Sequence, residues 1–282
     1  MRNVLFCLLA TILVSACNTR KTPRITTIGI QGEVTPQYSF QYNEKGNLVE
    51  LIQHCNGDSN QTTFQYDDTN RITNIVFVEQ SSTSPKVKAK ATVTEWDNNG
   101  NVAAITYYDA LDKPLRKAKI RWKNGLPVAM KFSDSTLACA WNNDQKNPQR
   151  KDIYIDSSNG TAVSPFVTLK TTQYEMEDSL NPLKPLANQI IICQTAAPAS
   201  ITPVGDLSNV FLNVSNKSPY LVKIAEREKK VNQEFESHST YQYFYSHKNA
   251  SSYPDKAWVH LSCQGSTNLD TDANFIMFYK YE

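Results

Sequence analysis

Four histidines, His54, His238, His247 and His260, are the side chains best suited to proton transfer or metal ligation. None stands in a His-Glu-x-x-His or His-x-His spacing. A zinc site would have to be gathered from residues far apart in the chain. A Gly-x-Ser-x-Gly elbow, a Walker loop and a dinucleotide fingerprint do not occur. Carboxylates are plentiful, but Asp67-Asp68 and Glu226/Glu228 fall where turns and exposed strand faces place acids. Glycosidic cleavage needs two carboxyls held roughly 5–9.5 Å apart, and nothing in the sequence selects such a pair. The expectation is a protein without catalytic residues, metal or cofactor.

Two rows of residues could bind rather than react. In Lys86-Val87-Lys88-Ala89-Lys90 and in Lys117-Ala118-Lys119-Ile120-Arg121-Trp122-Lys123, cations alternate with apolar residues. Period-2 alternation sends one set to one face of a strand. If a single strand separates the two segments, the cations stand within about 10 Å of each other, a face suited to anionic glycan, lipid headgroups or peptidoglycan. More commonly it is the pattern of a solvated sheet face, which also discourages edge pairing. The second row is Phe235, Tyr241, Tyr243 and Tyr245, which share one parity. Exposed, such a row stacks sugars or packs on a partner; more commonly it is a core face.

The elements that must carry these rows are legible through a degenerate repeat. Tyr42-Asn43-Glu44-Lys45-Gly46, Tyr66-Asp67-Asp68-Thr69-Asn70 and Trp96-Asp97-Asn98-Asn99-Gly100 are each followed by a polar residue and an aliphatic strand start, and Trp122-Lys123-Asn124-Gly125 is a shorter relative. An aromatic ends a strand, Asn or Asp caps a turn, and Gly or Asn supplies the left-handed position. Each unit is a hairpin, and successive hairpins make a meander. The sequence predicts a mainly β fold: an antiparallel meander of hairpin repeats forming a curved or partly closed sheet, with one short helix in the C-terminal half, placed at residues 207–214. Ile190–Cys193 reads as a buried strand or part of a helix. The last strand carries apolar residues on both faces, Phe275, Met277 and Tyr279 against Ile276 and Phe278, and does not resemble the final strand of an outer-membrane barrel.

The N-terminus adds an address. Arg2, an apolar run from Val4 to Val14 and Ser15-Ala16-Cys17 form a secretory signal too short to span a bilayer. Val14-Ser15-Ala16-Cys17 resembles the bacterial lipobox, which implies cleavage before Cys17 and its diacylation. Residues 1–16 are then signal peptide, 17–35 a lipidated tether with a short strand at 25–30, and 36–282 one β-rich domain with a seam near 142–160. The repeats resemble YD-type repeats. Together with the lipobox, and with Asn216-Lys217-Ser218-Pro219-Tyr220 leading into the last strands, they make the chain similar to an uncharacterised lipoprotein family of gut Bacteroidetes with a porin-like fold. Asn18 departs from the Asp of inner-membrane retention and the tether is basic, so the resemblance implies an outer-membrane lipoprotein on the periplasmic side, with the cell surface as alternative. Asp134-Ser135-Thr136 and Asp178-Ser179-Leu180 resemble O-glycosylation sites of exported Bacteroidetes proteins, at Ser135 and Ser179.

Composition narrows the function classes. The chain has 282 residues, 29 basic against 27 acidic, and 40% hydrophobic residues, which excludes wholesale disorder and argues against a dedicated nucleic-acid binder. With Cys7 removed and Cys17 acylated, Cys55, Cys139, Cys193 and Cys263 remain, as two disulfides or as thiols. The expected function is a non-catalytic binding or scaffolding module for glycan, lipid or an envelope protein. The alternatives are a lipid or lipoprotein carrier using a concave sheet face and, less favoured, a glycan-active enzyme.

Overall fold

A computed structural model describes residues 23–55, 58–80, 85–133, 137–143, 147–156, 167–195, 214–230, 233–248, 252–265 and 271–282. The described residues hold sixteen strands: β1 Ile25–Ile30, β2 Tyr38–Tyr42, β3 Leu48–Cys55, β4 Asp58–Tyr66, β5 Ile72–Gln80, β6 Pro85–Trp96, β7 Val102–Asp109, β8 Pro114–Lys123, β9 Leu126–Phe132, β10 Leu137–Asn143, β11 Pro148–Asp156, β12 Val167–Leu180, β13 Lys217–Lys230, β14 Gln233–Ser246, β15 Lys256–Gly265 and β16 Thr271–Tyr281. A 3₁₀ turn, Lys184–Leu186, leads into a helix α1, Ala187–Thr195.

The curved or partly closed sheet expected from the sequence is corrected to a closed barrel. Every strand pairs with its chain neighbours, and β16 returns to pair with β1. Ile25 stands opposite Tyr281 and Ile30 opposite Met277. The short strand assigned to the tether is therefore the closing stave. Closure satisfies the backbone groups that two free edges would leave unpaired. Strand β11 pairs with β10 on one side and with β12 on the other.

The strands alternate, and the barrel sorts the two parities. On β4, β5, β7 and β8 the inward side chains Phe64 and Phe77 at 4% exposure, Ile105 and Tyr107 at 0% and Ile120 at 4% are apolar and nearly inaccessible, whereas β11 and β12 also bury Lys151, Lys170 and Thr172. The apolar side chains form one core with Ile190, Ile191 and Ile192 of α1. Outward side chains on β8 are Lys117, Lys119, Arg121 and Lys123, all exposed.

The repeat sets the turns. The Asn43, Asp67 and Asp97 carbonyls accept the amides of Gly46, Asn70 and Gly100, and the first residue of each turn donates its own amide to the carbonyl four residues on. Asp67 Oδ1 accepts from the amides of Thr69 and Arg71 at 2.9 Å, and Asp97 Oδ1 from those of Asn99 and Asn101 at 2.8 Å. Gly46, Asn70 and Gly100 take φ of 84°, 64° and 77°. The same grammar recurs at Asp109, whose Oδ1 accepts from Leu111 and Lys113, with Asp112 at φ 64°.

The Arg71 amide, then the Thr69 hydroxyl, pull the Asp67 carboxyl from its ordinary 3.8 down to about 2. A depressed folded-state value means the turn's contribution is complete above pH 3.8 and is lost as pH falls through about 2. Asp67→Asn is expected to flatten that part of a plot of urea midpoint against pH. An unchanged slope between these pH values would remove the turn from the acid response.

Candidate functional site

The end of the barrel where β1 begins and β16 ends is closed from inside. Aromatics at the ends of even-numbered strands bolt it: Tyr42 Oη donates to the Ile25 carbonyl at 2.8 Å, Tyr66 Oη to Leu48, Trp122 Nε1 to Val102 at 2.8 Å, Tyr245 Oη to Pro219 at 2.9 Å and Tyr281 Oη to Pro254 at 2.6 Å. This is the structural purpose of the repeat aromatics. Each ring lies against the core while its polar edge finds a carbonyl at the start of the preceding strand.

Helix α1 docks on the same turns. Asn188 Oδ1 accepts the Val102 amide at 3.0 Å and Asn188 Nδ2 donates to the Gly100 carbonyl. Gln189 Nε2 donates to Tyr66 Oη at 3.1 Å, and Lys184 Nζ donates to the Gly125 carbonyl. Tyr66 thus joins two elements, and Tyr66→Phe is expected to cost about 1–2 kcal/mol in urea unfolding through its two hydrogen bonds. A variant as stable as the parent would show that the bolt contributes nothing.

The basic rows come together only in part. Strand β7 does lie between β6 and β8. On β6, however, the pairing steps from Ala89 opposite Phe77 to Val87 opposite Val78, leaving Lys88 outside the ladder. Lys90 is opposite Val76 and Lys86 opposite Glu79; these partners are three residues apart on a regular strand, so the two lysines face opposite sides. Lys88 Nζ pairs with Glu79 at 2.9 Å and Lys90 Nζ with Asp112 at 2.8 Å. The β8 row is different. Lys117, Lys119, Arg121 and Lys123 are exposed, and Lys119 stands opposite a further exposed cation, Lys131 on β9. Among the described residues, none of these five has a carboxylate within ion-pair distance. On β7, the small residues Ala104 and Thr106 stand opposite Lys119 and Lys117. The result is a cationic face on β8–β9 flanked by uncharged side chains.

The aromatic row is core. Tyr241 and Tyr243 are each 3% exposed, and Tyr243 stacks on Tyr245 at 5.8 Å. Burial pushes the Tyr243 and Tyr245 phenols well above their ordinary range. Phe235 shares their parity on β14, but its side chain lies outside the described residues. The aromatics that reach solvent are on the other parity: Phe244 is 58% exposed and Trp258 64%. They are not among the residues singled out from the sequence; the signal for each is its parity opposite Tyr243 or Val259, which point inward.

Ser179 is 5% exposed and its hydroxyl lies 2.6 Å from His247 Nε2 and 3.0 Å from Glu177 Oε1. Ser135, and the helix expected at 207–214 apart from Val214, lie outside the described residues. His54 faces Ser39 Oγ at 3.3 Å, and burial lowers its pKa. His238 neighbours Glu236 and His260 neighbours Asp272. Among the described residues no three His, Cys, Asp or Glu side chains gather as a metal ion would require. Cys139, Cys193 and Cys263 are free thiols; burial raises Cys139 to about 11 and Cys193 to about 12. Outside the barrel, Arg150, Gln173, Glu175 and Lys223 line a shallow cleft of about 310 Å³ on β11–β13, where Arg150 is already paired with Asp152 at 2.9 Å.

No family model and no curated protein matches the sequence. Two solved structures are similar over nearly their whole length. One is a porin-like protein from Bacteroides vulgatus, 11% identical, covering 92% of this chain and 99% of that chain at a TM-score of 0.39. The other is a porin-like protein from Bacteroides uniformis, 14% identical, covering 93% of this chain and 97% of that chain at a TM-score of 0.50, a likeness that establishes a shared fold.

Proposed function

We propose that the chain is a lipid-anchored, non-catalytic binding module of the bacterial envelope, held by acylated Cys17 on the periplasmic side of the outer membrane. Its β8–β9 cation face takes an anionic envelope glycan such as peptidoglycan. The observation that carries this reading is the set of five exposed cations, Lys117, Lys119, Arg121, Lys123 and Lys131, with no neutralising carboxylate among the described residues. The fold shared with a porin-like Bacteroides protein supports an envelope setting. The wall itself is a poor lipid-spanning surface: membrane barrels face lipid with an apolar band and the lumen with polar groups, whereas here β8 turns cations outward and Ala118 and Ile120 inward.

The carrier reading is weaker on packing grounds. Ile190, Ile191 and Ile192 at 0–1% exposure, with Met130 at 2%, pack into one core with the strands, so these apolar side chains are already covered by the protein itself. The test is binding of purified protein to peptidoglycan sacculi against salt concentration, beside a Lys119→Glu/Arg121→Glu variant. Salt-sensitive binding lost in the variant supports the reading; equal retention of both proteins overturns it.

A further inference from the structure

We infer that the outer face of β14, β15, β16 and β1 is a bilayer-contact surface, which settles this side of the barrel into the lipid headgroup region. The inference rests on the lipid-anchored reading for its orientation and on three observations of its own.

The first is the row itself. Phe244 stands opposite Trp258, and Trp258 opposite Ile276. These three lie on the parity away from the core, since their neighbours Tyr243, Val259 and Met277 are 3%, 2% and 1% exposed. Phe244 and Trp258 present more than half of their surface to solvent. A contiguous apolar row rimmed by polar residues, unlike apolar side chains scattered singly, marks a contact site.

The second is what borders the row. One step toward the end where β16 finishes, Lys256 stands opposite Phe278 and Phe278 opposite Gly29. The Phe278 ring covers Gly29 so closely that a Cβ there would collide with its Cζ. Lys280 Nζ lies 5.4 Å from the centre of the same ring, and Lys256 and Lys280 are both exposed. One step the other way the row is polar, with Gln242, His260 and Asn274 in register. A narrow aromatic and aliphatic belt with lysines along one margin has the composition of the membrane–water interface. There, Trp sits at the headgroups, apolar neighbours reach the acyl boundary and lysines meet anionic lipid.

The third is where the chain outside the described residues leaves the barrel. The N-terminal chain enters at Ile25, beside Tyr281 of β16. From Arg24 back to Cys17, seven residues reach at most about 25 Å. Acyl chains on Cys17 would therefore draw the β16–β1 side to the bilayer. In a ring of sixteen strands, β8 lies eight strands from β16, so the cation face then looks away from the membrane.

Full-length lipidated protein should be incorporated into phosphatidylethanolamine–phosphatidylglycerol vesicles whose acyl chains are brominated near the headgroup. Tryptophan emission is expected to be quenched, and Trp258→Phe to remove about half or more of that quenching. Trp122 is tied to the Val102 carbonyl, and Trp96, Trp122 and Trp141 all pack against the core. Trp258 is exposed, so the substitution should leave the far-ultraviolet circular dichroism unchanged. Equal fractional quenching of parent and variant overturns the inference. So does a dimer, formed without vesicles and dissociated by Phe244→Ser, because a second copy would then cover the row. The mass of the parent's Cys17 peptide, scored separately, reports on the anchor: an unacylated Cys17 overturns the lipid-anchored reading, and Trp258-dependent quenching still decides the contact surface.

Discussion

Ile191→Ala is expected to lower the unfolding free energy by about 2–5 kcal/mol, the range for truncating a fully buried aliphatic side chain. Ile191 is 0% exposed, flanked by Ile190 and Ile192 at 1% and 0%. The helix buries Ile190, Ile191 and Ile192 in the barrel core, while the half-buried Asn188 and Gln189 turn their amides to the wall. Its ends are fixed from the wall, by Asn188 to Val102 and Gly100 and by Tyr107 Oη to the Ile192 carbonyl. The site therefore cannot collapse freely around a cavity, which places the cost toward the upper part of that range. Ile191→Asp should prevent the native barrel from forming, since a carboxylate there is buried among hydrocarbon. Urea unfolding followed by tryptophan emission and by circular dichroism measures the first effect. An Ile191→Ala loss below about 1 kcal/mol would mean that the helix merely rests in the barrel mouth.

What the sequence discloses about this fold is local. Tyr66-Asp67 and Trp96-Asp97 predict strand, turn and strand because the chemistry is complete within seven residues: an aromatic edge, an Asx oxygen and a left-handed position. The shared parity of Tyr241, Tyr243 and Tyr245 on β14 follows from the alternation alone. Closure is different. It depends on Ile25 meeting Tyr281, across nearly the whole chain, and on a stagger shared by all sixteen strands. Six residues after a polar segment carry no sign of that partner, so β1 reads as part of a tether.

Two further departures have specific causes. Strand β12 does not stand out in the sequence because its inward positions include Lys170 and Thr172, buried at 7% and 4% exposure, so the alternation of apolar with polar is lost. The basic row on β6 looks uniform in sequence, but Lys88 falls in a bulge, and a one-residue slip sends the next lysine to the other face. The cationic face survives on β8 because its pairing with β7 is regular over Arg116–Lys119. The exposed Phe244–Trp258 row is masked in the sequence for the opposite reason. Its signal is a register across two strands, and Tyr241, Tyr243 and Tyr245 on the same strand dominate the reading of that segment.

Lys119→Glu/Arg121→Glu is expected to weaken binding to anionic glycan by about tenfold or more at low salt, and by less as ionic strength rises. The reversal changes the face by four charges while touching no core residue, since both side chains are exposed. Its effect on the fold has the opposite sign. Lys119 is in register with Lys131, and like charges directly across an antiparallel pair are destabilising, so a glutamate at 119 replaces repulsion with attraction. A variant that binds less and unfolds no earlier assigns the cations to a ligand. A variant that binds as well as the parent leaves the row a solvated face. Lys90→Glu provides the internal contrast. Lys90 is already held by both carboxylate oxygens of Asp112 at 2.8 Å, so its charge is spent within the barrel wall. Its reversal should cost stability through the Asp112 turn while changing glycan affinity by less than the β8 pair does. The order of the two variants in affinity, with the reverse order in stability, is the signature of a face whose cations are left unneutralised for something outside the protein.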